Sequence, residues 1–145
     1  MNQDEWAKTV EWVGVVAGCV IKKDSKYLLV QENEAKVRGL WNLPAGYVDK
    51  GETIEQGAIR EAKEESGFDV RILSEIGVYH EAIGKPVKHA FEAEITGGEL
   101  ARQEGEIQDV RWFTFQEIQA LHKDGKIRAD WIYDSINVVE VRTAN

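Results

Sequence analysis

The segment TIEQGAIREAKEESG, residues 53–67, limits the folds open to this chain more than any other feature. Thr53 is a side-chain oxygen acceptor placed just before an apolar-periodic run, and Gln56 follows three residues later, the signature of a capping box. Gly67 supplies a natural stop because it tolerates a left-handed backbone. The spacing therefore predicts a helix from about Ile54 to Ser66. With Ile54 at zero and about 100° per residue, Ala58 falls at about 40° and Ala62 at about 80°, which defines a narrow apolar stripe. On the same wheel Glu61 falls at about −20°, Glu65 at about +20° and Glu64 at about −80°. Two carboxylates thus share the face that must pack, and a third flanks it.

Like charges crowded on a packing face repel, and partial burial makes the repulsion worse unless a cation compensates. Arg60 can pair with Glu64 one turn on, but one guanidinium does not balance three acids. An all-oxygen cluster of this kind suits Mg²⁺ or Mn²⁺ rather than zinc. A surface patch of ion pairs is the competing account of the helix taken alone.

The rest of the chain alternates between strand and helix signals. WVGVVAGCVI (residues 12–21) and KYLLVQE (26–32) read as strands joined by the turn KKDS. NEAKVRG is a loop leading into LWNLPAGYVDKGE, where Pro44, Gly46 and Gly51 forbid a long regular element. Strand-like runs return at DVRILSEIGVYHEAI, VKHAFEAEI and IQDVRWFTF. FQEIQALHKDG has helical spacing, and IRADWIYDSINVVEV reads as a last helix with Ile127, Trp131, Ile132, Ser135 and Val138 inward. Strands surround the helices without repeated βαβ units, which points to an α/β (α+β) arrangement with helices packed on a mixed sheet.

At 145 residues, with neither a repeat nor a low-complexity linker, the simplest organisation is one domain over residues 1–145. The single cysteine, Cys19, excludes an intramolecular disulfide and fits a reducing compartment. It lies in an apolar run of about nine residues, too short for the roughly 20 of a membrane span. The expectation is a cytoplasmic protein with no membrane contact. A net charge of −8 argues against a nucleic-acid partner, since phosphate backbones demand clustered Lys and Arg. It leaves room for a phosphate ligand held through divalent cations.

From Gly46 the chain runs Gly46, five residues, Glu52, seven residues, then Arg60-Glu61-Ala62-x-Glu64-Glu65-x-Gly67-Phe68. This resembles the Nudix box, the signature of hydrolases acting on nucleoside diphosphates linked to another moiety. Seven fixed positions match, two Gly and five charged, and chance agreement is on the order of 10⁻⁸ per register. Ala62 and Phe68 depart from the aliphatic residues the family usually carries. Looser similarity extends over roughly residues 13–121, including WNLPAG and VRWFTFQEI. The resemblance implies the Nudix fold, an α/β/α sandwich around a mixed sheet. It also implies a Mg²⁺-dependent pyrophosphohydrolase, with Mn²⁺ as an alternative ion, that directs water at phosphorus.

By the same resemblance Glu64, Glu65 and the carbonyl of Gly46 are metal ligands. Glu61 is a further ligand through water, or orients the attacking water. Glu52 and Arg60 brace the loop against the helix. A distant loop acid often completes such sites; Glu106 is preferred here, with Glu104 the alternative.

Candidates for the rest of the substrate are Arg38 in KVRG and Lys88 in KPVKH as phosphate contacts. Trp41, Tyr47 and Phe91 are candidates to stack on a base, or else core residues. His80 is a cleft candidate from VYHE, and Arg128 a phosphate contact from IRADWIYDSI. Within the family the small bacterial nucleotide phosphatases look most similar, so the expected partner is a small nucleotide or diphosphate. ADP-ribose hydrolases often carry a proline a short way beyond the box; Pro86 lies further past Gly67 than that habit, so this subgroup is less favoured. The family also suggests dinucleoside polyphosphate hydrolysis, prenyl diphosphate isomerisation, or a catalytically silent sensing module; the intact box argues against the last two. The chain is expected to be a monomer or a homodimer, with WAKTVEWV (Trp6, Trp12) a candidate contact.

Overall fold

The computed structural model describes residues 14–144. The strands are β1 (Val15–Lys23), β2 (Lys26–Glu32), β3 (Trp41–Asn42), β4 (Ala45–Tyr47), β5 (Phe68–Tyr79), β6 (Val87–Gly98) and β7 (Ile107–Thr114). The helices are α1 (Ile54–Ser66), α2 (Phe115–Lys123) and α3 (Asp130–Thr143). The start of the expected first strand, Trp12 and Val13, lies outside the described residues, as does the WAKTVEWV segment.

The sheet runs in the order β3-β2-β1-β6-β5, with β4 also paired to β1 and β7 to β2. β1 and β6 are parallel, whereas β1 with β2, β2 with β7 and β5 with β6 are antiparallel. The sheet is therefore mixed.

The central strands are apolar on both faces, as expected of strands covered from both sides. Alternation along them divides the core. Ala17, Cys19, Ile21, Leu28 and Val30 face Ala58 and Ala62 of α1. Val20, Tyr27 and Leu29 face Ile118 of α2 and Trp131, Ile132, Ile136 and Val139 of α3. One helix on one side and two on the other make the α/β/α sandwich. On α3 the inward row ends at Val139 rather than the expected Val138, because Ser135, Ile136 and Val139 follow the i, i+1, i+4 stripe that touches the sheet.

LWNLPAGYVDKGE does hold the short strands β3 and β4, which Leu43 and Pro44 separate. Pro44 O accepts from Cys19 N at 3.1 Å and Val15 O accepts from Val48 N at 2.8 Å, so this loop is stitched to β1 on both sides of β4. The capping box at α1 forms: Thr53 Oγ1 accepts from Gln56 N at 3.1 Å, and Gln56 Oε1 accepts from Thr53 N at 2.8 Å. Gly67 closes the helix at φ 84°, its N–H donating to Lys63 O. Among the described residues no helix is long and apolar enough to cross a membrane.

Candidate active site

α1 lies over β1 and β4, and this sets its acidic face against the loop that precedes it. Glu65 is only 6% exposed, and its Oε1 accepts from Ala45 N at 3.1 Å. One backbone donor does not offset full desolvation. Burial therefore holds the Glu65 carboxyl well above the usual carboxylate range, and the charges of Glu61, Glu32 and Glu106 add to the rise. The Glu61 side chain is 15% exposed and is raised for the same first reason, burial, with Arg60 working in the opposite direction. Glu64, at 44%, reaches toward solvent. The three carboxylates thus take the graded positions that their places on the helical wheel require.

Gly46 is where backbone and carboxylate come closest. A Cβ at this position would overlap the carboxylate of Glu61 and push it aside, so glycine lets that carboxylate lie directly against β4. Beside it, Arg60 ties the loop together. Its Nη2 donates to Tyr47 O at 2.9 Å and to Glu52 Oε1 at 2.8 Å, and its Nη1 to Glu61 Oε1 at 2.9 Å and Glu64 Oε2 at 3.1 Å. Glu52 in turn accepts from Asp49 N at 2.7 Å, and the guanidinium holds its carboxyl below the usual range. Glu52 and Arg60 sit where a bracing pair would sit.

A cleft of about 770 Å³ opens beside this face. Glu32, joined to Asn42, forms one charged group in its wall with Ala45 and Gly46 nearby, and Glu81 with Lys85, Lys88 and Arg128 forms another. Glu61 and Glu65 of α1 are held against their charge by burial beside Gly46, and the groups there that could ligate are oxygens, which fits a hard divalent cation. Among the described residues no three His, Cys, Asp or Glu side chains already converge on one point, since Arg60 draws Glu61 and Glu64 to itself.

Other site candidates from the sequence are distributed unevenly. Tyr47, Lys88 and Arg128 line the cleft. Of the two loop acids, Glu106 is the one whose charge reaches Glu65. Trp41 is a core residue rather than a stacking surface; its ring packs edge-on against Phe113 at 4.8 Å. Phe91 is likewise buried, on the α1 side of the sheet. Arg38 is exposed and turned to its own loop, its Nε on Asn33 O at 3.5 Å, and His80 is exposed just before Glu81; neither forms part of the cleft wall.

Sequence reasoning passed over Glu32 and Asn42. Glu32 ends β2, pointing into the cleft, and its Oε1 accepts from Asn42 Nδ2 at 2.8 Å. Asn42 Oδ1 is buried without a partner. The available signal was the acid closing an apolar strand opposite WNLPAG, but that pattern is common at strand ends.

The chain matches the NUDIX domain family over residues 12–134 and belongs to that family. It is 31% identical over 125 residues to the NAD-capped RNA hydrolase NudC of Vibrio atlanticus, covering 86% of this chain and 45% of that protein. It is 38% identical over 85 residues to an ADP-ribose pyrophosphatase of Methanocaldococcus jannaschii, covering 56% of this chain and 50% of that protein. The chain thus spans about half the length of these curated relatives. Among solved structures it resembles a NUDIX hydrolase from Nitrosomonas europaea, with a TM-score of 0.79, 27% identity and 90% of each chain covered.

Proposed function

We propose that this chain is a Mg²⁺-dependent hydrolase of a nucleoside diphosphate-linked substrate, acting as a single domain in the cytoplasm on a small molecule rather than on nucleic acid. The observation that carries the proposal is Glu65, a buried carboxylate among acids, beside a nucleotide-sized cleft. Glu65, Glu64 and the Gly46 carbonyl are the groups that would hold the ion, with Glu106 and Glu32 within electrostatic reach. A bound divalent cation supplies Lewis-acid stabilisation of charge on the phosphoryl oxygens.

The chain's own residues do the rest. Arg60 and Glu52 fix the loop so that Gly46 stays against α1. Glu61, raised by burial, holds and orients a water for attack at phosphorus in line with the leaving phosphate. One P–O anhydride bond breaks as the bond to water oxygen forms, giving a nucleoside monophosphate and the remaining phosphate fragment. The net charge of −8 and the buried, unreactive Cys19 support the small-molecule and reducing-compartment parts of this reading.

The test is a phosphate-release screen over nucleoside tri- and diphosphates, ADP-ribose, dinucleoside polyphosphates and nucleotide sugars. It is run with Mg²⁺, with EDTA, and with Glu64→Gln and Glu65→Gln. The expected result is Mg²⁺-dependent turnover that falls at least about 100-fold in each variant. Turnover that persists in EDTA, or in both variants, removes the assignment. Absence of turnover with thermal stabilisation by a nucleotide replaces it with a sensing module.

A further inference from the structure

One group in the cleft wall is built from three separate elements, and all three bring a cation. Lys88 comes from β6, where it stands in register with Val16 of β1 and Tyr79 of β5. Lys85 comes from the loop between β5 and β6. Arg128 comes from the connection between α2 and α3, and its backbone is fixed: Arg128 N donates to Trp41 O at 2.8 Å, and Lys126 O accepts from Trp41 N at 2.8 Å. All three line the same cleft in a chain of net charge −8.

One acid stands among them. Glu81 Oε1 meets Lys88 Nζ at 2.9 Å, and its carboxyl is held below the usual range first by Lys88 and then by Lys85 and Arg128. The Lys88 side chain is 12% exposed, so it is held by the wall rather than waving from it. Among the described residues neither Lys85 nor Arg128 has a salt-bridge partner. Asp130, a further acid of the cleft wall, is directed to His122 Nε2 at 3.2 Å. The three cations thus share one cleft with Gly46, and an anion extending along the wall from Gly46 can meet them.

We propose that Lys85, Lys88 and Arg128 form a second anion site for a phosphate beyond the anhydride that is cut, with Glu81 as the internal counterion the ligand displaces. This deepens the hydrolase reading on which it rests. The substrate class becomes a nucleotide ending in a further phosphate, a nucleoside triphosphate, rather than a diphosphate capped by a neutral sugar. Glu81 then has a second effect: it competes with the ligand for Lys88, so it lowers affinity for triphosphates while keeping the empty wall from holding unpaired charge.

The test is calorimetric binding of the α,β-methylene analogues of ATP and ADP, which resist cleavage, in Mg²⁺. The protein is expected to bind the triphosphate at least about tenfold more tightly, equal to about 1.4 kcal/mol. Arg128→Ala and Lys85→Ala should each shrink that ratio to within about threefold by weakening the triphosphate alone. Glu81→Gln should widen it, which a merely structural Glu81 would not do. No preference in the parent protein, a ratio unchanged in both cation variants, or weaker triphosphate binding in Glu81→Gln each overturns the proposal. A retained tenfold preference in a protein with no turnover would sink the hydrolase reading and leave the anion site standing. Turnover without any preference would do the reverse.

Discussion

Replacing Glu65 by Gln should make the metal-free protein more stable while abolishing its chemistry. Glu65 is buried, has one backbone donor in Ala45 N, and faces the charges of Glu61, Glu32 and Glu106. Leaving a buried charge uncompensated costs about 3–5 kcal/mol. The Ala45 hydrogen bond and the neighbouring solvent of the cleft recover part of that, so the net penalty is about 1–3 kcal/mol. Glutamine keeps an acceptor for Ala45 N and turns an N–H toward the remaining carboxylates. At about 2–4 °C per kcal/mol for a protein near this size, the variant should melt about 2–12 °C higher at pH 8 in EDTA. Mg²⁺ should close or reverse the gap, because an ion at 100 times its Kd adds about 2.7 kcal/mol to the parent and little to the variant. Paired differential scanning calorimetry in EDTA and in Mg²⁺ reads both effects. A variant that melts lower than the parent in EDTA would show that Glu65 is a structural acceptor. Equal stabilisation of both by Mg²⁺ would remove it from the metal site.

Two further substitutions probe the frame. Gly67→Ala places a Cβ at φ 84° against Glu99 O and Ala101 N, and should cost more than about 2 kcal/mol in urea unfolding, with helix content intact; a loss under about 0.5 kcal/mol would refute the close approach. Glu140 accepts from Tyr27 Oη at 2.5 Å and Lys22 Nζ at 3.3 Å, and its carboxyl is lowered by Tyr27 first. A lowered carboxylate stabilises above its unfolded value and loses that contribution as pH falls through its folded one. Glu140→Gln should therefore be about 1 kcal/mol less stable at pH 7, and the gap should shrink as the pH falls below the ordinary carboxylate range; a pH-independent gap in the melts would contradict the argument.

How much of this was visible in the sequence depends on how local the cause is. The helix from Ile54 to Ser66 was legible because its cap, stop and face are all set within one short segment, and the same wheel put Glu61 and Glu65 inward. The three layers were expected only through the resemblance from Gly46 to Phe68, and the structure explains them by central strands that are apolar on both faces. Strands β3 and β4 were not legible, because two and three residues carry no period and their pairing is decided by β2 and β1. Trp41 and Phe91 illustrate the limit for aromatics: the same ring serves a core or a cleft, and only the sheet's two faces decide. Glu32 and Lys85 entered the cleft by topology, from segments far from the box. Val138 gave way to Val139 because one residue turns the helix by about 100°.

The junction between β3 and residues 126–128 separates two things that proteins usually entangle. It is a parallel bridge made of main-chain groups alone, Trp41 N to Lys126 O and Arg128 N to Trp41 O. The fold recognises that part of the chain without consulting the side chain at 128. Position 128 is thus a socket with interchangeable fittings: its side chain can be exchanged while the bridge that seats it stays closed.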